Sequence, residues 1–255
     1  MIDTLQGASL FGAAVAAGAI NSVAGGGSFL TFPALVLTGM PSIAANATST
    51  VAVWPGTVAS VGAYREDIRR ERRLLPGLLA VSIIGGLLGA FVLLRTPQPT
   101  FDRILPWLLL IATLIFAFGA RLARRLGARP AADGSPARIG PAGWLLQLVI
   151  ATYAGYFGGG AGLLMLAMLS LAGLTDIHAM NGIKTLLGST ANLLAIIAFI
   201  WAGKIFWPQA LLMAVGSTAG GYAGARFARR VNPAVIRTLV IVVGAAMTAY
   251  FFVRR

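Results

Sequence analysis

The chain has 255 residues, 58% of them hydrophobic and only 11% charged, and its mean hydropathy is +0.84. Apolar stretches long enough to cross a bilayer recur from end to end, which excludes a soluble globular protein and predicts an all-α polytopic membrane protein. The net charge of +13 falls in arginine-rich loops, where it indicates topology and contact with anionic lipid rather than nucleic acid. With no cysteine and one histidine, disulfides and thiolate or imidazole metal clusters are excluded, and no cofactor is predicted.

Ten apolar segments are predicted in chain order, five before and five after a polar linker. We call them a to e in each half. Those of the first half lie at 7–24, 28–39, 43–63, 75–94 and 104–120. Those of the second half lie at 144–157, 161–173, 179–201, 207–226 and 234–252. The predicted domains are therefore a first membrane repeat at 1–120, a cytoplasmic linker at 121–141 and a second repeat at 142–255, with about eight to ten membrane segments in all.

The two halves resemble copies of one ancestral segment. At a shift of 135 residues four pairs of polar positions coincide, namely Asn46 with Asn181, Ser49 with Lys184, Thr50 with Thr185, and Thr57 with Asn192. The same shift places Gly85, Gly86 and Gly89 on Gly220, Gly221 and Gly224. We expect this second group to let helices pack closely. Duplicated membrane segments interrupted by glycine form the solute site of many transporters.

The arginines predict opposite orientations for the two halves. The loop at 65–73 has five arginines and the one at 121–129 has four, so both are predicted to be cytoplasmic. In the second half the loop after segment c has only Lys204, between two tryptophans, which is typical of an outer interface. The three arginines at 226–230 return the chain to the cytoplasm. Equivalent loops then lie on opposite sides, which is an inverted repeat.

Segments a and b of the second half are too short to cross the membrane separately. Each reaches about 20 Å, whereas the hydrocarbon core is about 30 Å thick. We therefore interpret a and b of each half as a re-entrant hairpin with a glycine triplet at its tip, Gly25–Gly27 or Gly158–Gly160. Two tilted full crossings are the alternative, and they leave the orientation of the other segments unchanged.

The triplets are candidates for anion binding. Glycines can adopt positive φ and direct successive N–H groups to one point, where segment b also begins with its positive dipole end. Two such ends would converge on a small anion. The predicted solute-binding residues are Asn21, Gly25, Gly26, Gly27, Ser28, Asn46, Ser49, Thr50, Tyr156, Gly158, Gly159, Gly160, Asn181, Lys184 and Thr185.

Segment c contributes a polar stripe in each half. In the second half it comprises Asn181, Lys184, Thr185, Gly188 and Asn192, and in the first Asn46, Ser49, Thr50, Val53 and Thr57. Lys184 is the most unusual of these, because a cation inside a membrane helix costs about 2.5–3.5 kcal/mol. An anionic solute would explain it, and the alternative is that its side chain extends to the cytoplasmic headgroups.

The carboxylates indicate how transport is energised. All seven lie in predicted loops or at segment ends, so a proton relay through a buried carboxyl group is not predicted. Transport is then either passive, down the anion gradient and the membrane potential, or coupled through the protonated solute itself. An inside-negative potential favours outward movement of an anion by about 2.3 kcal/mol per charge per 100 mV, which favours export. Catalysis is not predicted, because Ser28 lacks the G-x-S-x-G context of a serine nucleophile. His178 is assigned to the start of a helix, and Tyr153 and Tyr156 either donate to an anion or pack.

At these same residues the chain resembles the TauE/SafE (sulfite exporter, TSUP) family of transporters. The resemblance is carried by INSVAGGGSFLTFPALVLTGMPSIAANATSTVAVWPG in the first half and YFGGGAGLLMLAMLSLAGLTDIHAMNGIKTLL in the second. It implies a multi-pass carrier of the bacterial inner membrane that moves small anions such as sulfite, sulfoacetate or thiosulfate. Solute, direction and oligomeric state do not follow from it. Import of a similar anion, or a membrane scaffold that transports nothing, are the alternative functions.

Overall fold

The computed structural model of the chain describes residues 3–23, 26–125, 139–227 and 233–253. All regular secondary structure within these ranges is helical, and none of it is strand. The helices of the first half are α1 (Thr4–Val23), α2 (Ser28–Leu37), α3 (Ser42–Ala63), α4 (Arg65–Arg70), α5 (Leu75–Arg95) and α6 (Gln98–Arg125). Those of the second half are α7 (Pro141–Tyr156), α8 (Ala161–Leu171), α9 (Ile177–Trp201), α10 (Trp207–Phe227) and α11 (Pro233–Val253).

The helices fit a membrane protein. Three stretches, Leu75–Arg95, Gln98–Phe118 and Ile177–Trp201, are long and apolar enough to cross a bilayer, while α2 and α8 are apolar but shorter. Large apolar side chains such as Trp107, Leu145 and Val215 are exposed on the outside of the bundle. Lipid solvates such side chains, so the outer surface needs no polar cover. The all-helical prediction is confirmed.

Ten of these helices correspond to the ten predicted segments, and α4 was not predicted. Its acidic first turn and basic last turn complement the helix dipole. Its buried residue, Ile68, packs against Gly182 of α9. A Cβ added at Gly182 would lie 2.7 Å from the side chain of Ile68. The linker predicted at 121–141 begins as helix, because α6 continues to Arg125. Residues 126–138 of that linker lie outside the described residues.

Glycines form close contacts between the two halves. A Cβ on Gly220 of α10 would lie 1.9 Å from the carbonyl oxygen of Val15 in α1. At the equivalent contact, a Cβ on Gly89 of α5 in the first half would lie 2.0 Å from the carbonyl oxygen of Thr152 in α7 of the second half. The absence of a side chain lets the two backbones of each pair touch, which is the packing role expected for these glycines.

The contacts between the halves have a regular pattern. α1 packs on α10 as α7 packs on α5, α3 on α10 as α9 on α5, and α2 on α11 as α8 on α6. The pairs α3 with α9 and α6 with α11 join equivalent helices. Trp54 Nε1 donates a 2.9 Å hydrogen bond to the carbonyl oxygen of Ser189, and these two positions are separated by the repeat shift of 135 residues. Exchanging the halves therefore maps the first helix contacts onto one another in pairs and the last two, α3 with α9 and α6 with α11, onto themselves.

The loops gather at two opposite ends of the bundle. At one end Arg70 lies 3.9 Å from Asp176, which joins the loop after α3 to the start of α9. At the other end Gln98 Nε2 donates to Ser42 Oγ at 2.7 Å, and the amide of Phe206 donates to Thr48 Oγ1 at 3.1 Å. Helix α5, about 30 Å long by its residue count, separates the two ends.

Candidate functional site

The two short helices α2 and α8 begin at a common cavity of about 70 Å³ between the halves. Its wall in the first half is formed by Asn21, Gly26, Ser28, Thr50, Val53 and Thr57. Its wall in the second half is formed by Ala154, Phe157, Gly158, Ala161, Gly162, Met165, Lys184, Thr185, Gly188 and Asn192. Helices a, b and c of both halves thus contribute to one small enclosure, large enough for a small solute.

The glycine triplets form the turns that lead into α2 and α8. Gly26 has φ +119°, and Gly158 and Gly160 each have φ +79°, a region that residues with a side chain rarely adopt. Gly27 instead has φ −54° and a Cβ there would lie 2.6 Å from the carbonyl oxygen of Ala17, so close packing explains it. Gly25 lies outside the described residues.

The start of α8 presents an unused donor to the cavity. Gly162 lines it, and its amide has no acceptor among the described residues. The first turn of a helix leaves such N–H groups unsatisfied, and the helix dipole adds a partial positive charge there. Ser28, in the first turn of α2, reaches the same cavity. Both helix ends therefore favour a negatively charged group.

Lys184 is the charged residue of the wall. It lies two turns into α9, only 4% of it is exposed, and its Nζ donates to Asn181 Oδ1 at 3.1 Å. The two ion pairs found in the described part of the chain both involve Arg70 and not Lys184. An ammonium group has three donors, so most of its hydrogen-bonding capacity remains for a partner inside the cavity. Its burial argues against a side chain extended to the headgroups.

The other polar groups of the wall are neutral. Asn21 connects the turn to segment c, because its Nδ2 donates to Thr57 Oγ1 at 2.7 Å and its Oδ1 accepts from the amide of Gly26 at 3.2 Å. Thr50 and Thr185 donate to carbonyl oxygens of their own helices. The side-chain amide of Asn192 has no hydrogen-bond partner in the described part of the chain. One cation with neutral donors and no carboxylate is the chemistry of an anion site.

Several predicted binding residues lie behind the wall rather than on it. Asn46 Nδ2 donates to the carbonyl oxygen of Tyr156 at 3.0 Å, which ties α3 to the end of α7. Ser49 Oγ lies 2.6 Å from Thr31 Oγ1, between α3 and α2. Asn181 orients Lys184, and the carbonyl oxygen of Gly159 accepts a hydrogen bond from Tyr153. Gly160 is the N-cap of α8. These residues hold the turns and helices that form the cavity.

Two polar wall residues were on the predicted stripes but outside the predicted binding set. Thr57 and Asn192 are repeat equivalents, and both face the cavity. The sequence could have selected them, because a polar residue in one half coincides with a polar residue in the other at the repeat shift. Met165 and Phe157 have no such signal, because apolar residues of a membrane helix look alike whether they face solute, protein or lipid.

The start of α9 agrees with the prediction for His178. The carboxylate of Asp176 accepts a 2.8 Å hydrogen bond from the amide of His178, so Asp176 is the N-cap. This cap satisfies one of the free amides of the helix. The histidine therefore lies at the helix end near Arg70 and away from the cavity.

Comparisons with known proteins agree with a transporter. Residues 10–251 match the family described as Sulfite exporter TauE/SafE. The chain is 30% identical over 245 residues to the probable membrane transporter protein ORF9 of Sinorhizobium sp, covering 94% of this chain and 90% of the relative. It is 30% identical over 254 residues to the probable membrane transporter protein YfcA of Escherichia coli K12, covering 98% and 90%. A probable membrane transporter protein of Haemophilus influenzae is 29% identical over 251 residues, covering 97% and 94%. No solved structure matches.

Proposed function

Because the chain belongs to the TauE/SafE sulfite exporter family of membrane transporters, we propose that it carries a small sulfur-containing oxyanion, sulfite or an organosulfonate, out of the cytoplasm across a bacterial inner membrane. The observation that carries this proposal is the cavity in which Lys184 is buried without a carboxylate partner at the starts of α2 and α8.

The chemistry of the cavity fits an oxyanion. A buried cation costs about 2.5–3.5 kcal/mol in a membrane helix, and a bound anion offsets that cost by pairing with Lys184. The amide of Gly162 and the side chain of Ser28 supply hydrogen bonds to further oxygens. A sulfite or sulfonate group, which has three acceptor oxygens on one sulfur, can accept from Lys184 and from such donors.

Alternating access between two inverted halves is the mechanism we propose. The exchange pattern of helix contacts and the Trp54–Ser189 hydrogen bond support a pseudo-twofold axis through the site. Helices α2 and α8, about 15 and 17 Å long by residue count, are too short to span a bilayer and start at the cavity. Two re-entrant hairpins pointing from opposite sides would therefore meet at the solute.

The membrane potential sets the favoured direction. No carboxylate lines the cavity, so coupling through a buried acidic side chain has no candidate group in its wall. The inside-negative potential favours exit of an anion by about 2.3 kcal/mol per charge per 100 mV. Export therefore needs no second ion.

We expect the purified protein, reconstituted in liposomes, to respond to small sulfur oxyanions. At least one of sulfite, sulfoacetate and thiosulfate should give a current on a solid-supported membrane and counterflow of labelled solute, and acetate tests the carboxylate class. Liposomes without protein are the control. No response to any of the four, from protein that is monodisperse and helical, would contradict the proposed function. Faster uptake than efflux under equal and opposite gradients would make the protein an importer.

We expect single cysteines to report opposite orientations of the halves. The chain has no cysteine, so each variant carries one label site without background. Glu71→Cys and Thr175→Cys should react with an impermeant maleimide from the cytoplasm, and Thr100→Cys and Lys204→Cys from outside. Glu71 and Lys204 follow segment c in their respective halves. Labelling of these two positions from the same compartment would contradict the inverted repeat.

A further inference from the structure

We propose that the cavity selects its solute by charge and binds singly charged anions in preference to doubly charged ones. This inference rests on the proposed function, since it concerns the same cavity. It adds the charge class of the solute, which neither the family nor the size of the cavity defines.

The wall of the cavity carries one formal charge, which is positive. Among the lining residues Lys184 has a formal charge, and the remaining polar ones are hydroxyl, amide and backbone groups. Two carboxylates lie at the ends of the bundle, where Asp176 lies beside Arg70 and Asp102 accepts hydrogen bonds from Gln98 and Ser42. Tyr153, behind the wall, donates to a carbonyl oxygen and contributes no charge.

The duplication did not supply a second cation. The repeat equivalent of Lys184 is Ser49, whose hydroxyl is buried against Thr31 at 2.6 Å and does not line the cavity. The site is thus asymmetric although its halves are related. A single negative charge on the solute makes the occupied cavity neutral, whereas two leave one charge without a partner.

Burial makes that difference large. The cost of removing an ion from water grows with the square of its charge, and fixed dipoles recover only part of it in a low-dielectric interior. The cavity of about 70 Å³ is small, so the solute exchanges part of its hydration shell for contacts with the wall. Part of its wall is also apolar, since Phe157 and Met165 line it. A small anion with one charge and a short apolar part suits this wall better than a hydrated dianion.

The first test compares anions of similar size and different charge on the unmodified protein. We expect methanesulfonate, which has one charge, to bind at least about 100-fold more tightly than sulfate, which has two, by isothermal titration calorimetry in detergent. Perchlorate and thiosulfate, which are both tetrahedral, form a second pair. Equal binding within each pair, or tighter binding of the dianions, overturns the charge selection and leaves the anion carrier intact. Absence of binding and of transport for every anion overturns the proposed function as well.

The second test cancels the charge of the cavity. Asn192 lies eight residues after Lys184, which is about 12 Å along the same face of α9, and its side-chain amide has no partner in the described part of the chain. Asn192→Asp retains the side-chain size and brings the net charge to zero, so we expect methanesulfonate affinity to fall about tenfold. Asn192→Ser removes the same amide without adding charge, so its affinity should fall by less than that of Asn192→Asp. Equal affinities of the two variants, each with the melting temperature of the parent, overturn the inference.

Discussion

Replacing Lys184 by methionine is expected to abolish anion binding while leaving the fold intact. Methionine fills a similar volume and has no charge, so the variant loses the one cation of the cavity wall. Truncating one partner of a buried, hydrogen-bonded charge pair costs about 2–5 kcal/mol, which corresponds to a loss of affinity of about 30-fold or more. Titration calorimetry with the best solute of the transport assay measures this loss, and currents on a solid-supported membrane should disappear with it.

In the absence of anion, the same substitution should not lower the stability of the protein. A buried cation without an anionic partner destabilises the fold, and apolar replacement of buried charges is often stabilising by about 1–4 kcal/mol. We therefore expect Lys184→Met to unfold at the same temperature as the parent or a higher one in the absence of anion, and to lose the stabilisation that anion gives the parent.

Lys204→Met is the matched control. It removes one lysine from an exposed loop between α9 and α10, so it should bind and transport like the parent. If Lys184→Met binds solute as tightly as Lys204→Met does, Lys184 does not contact the solute and its role is structural. Loss of binding in both variants would point to a nonspecific effect of net charge.

The second large effect is expected at the glycine contacts between the halves. Gly220→Ala should destabilise the protein by more than about 3 kcal/mol, because the new Cβ would lie 1.9 Å from the carbonyl oxygen of Val15. Gly89→Ala should do the same against the carbonyl oxygen of Thr152, at 2.0 Å. Both obstacles are backbone atoms, which cannot rotate away as a side chain does, so α1 must separate from α10 or α5 from α7.

Gly12→Ala is the matched control for the glycine variants. A Cβ at Gly12 of α1 would meet nothing within 4 Å, and alanine has a higher helix propensity than glycine by about 1 kcal/mol. This variant should be as stable as the parent or slightly more stable. Thermal unfolding in detergent, followed by circular dichroism and size-exclusion chromatography, measures all three variants. Equal stability of Gly220→Ala and Gly12→Ala would mean that α1 and α10 are not packed backbone to backbone.

The helices were predictable because apolar length determines them. In lipid a backbone without internal hydrogen bonds is too costly, so a long apolar segment has to be helical. The segments at 28–39 and 161–173 were placed close to the α2 and α8 that are observed, Ser28–Leu37 and Ala161–Leu171. The short α4 could not be predicted in this way. It has six residues, five of them charged, and contact of Ile68 with α9 at Gly182 stabilises it.

The candidate site was predictable only in part. The polar stripe of each segment c follows from the helix period, and Thr50, Lys184 and Thr185 of the predicted binding set do line the cavity. Asn46 and Ser49 are on the same stripe yet contact Tyr156 and Thr31 instead. A stripe covers a wide arc of the helix, and neighbouring helices occupy part of that arc.

The sequence by itself determined the helical membrane class, the family and the one interior lysine, and it predicted two related halves, because these depend on residue types and on spacing along the chain. The tertiary structure alone decided that α2 and α8 start at one cavity, that Thr57 and Asn192 face it and that Ser49 does not. Periodicity defines which residues share a face of a helix. Only packing between segments far apart in the chain decides what that face meets, as when Gly220 admits the backbone of Val15 and thereby sets how closely α1 and α10 approach.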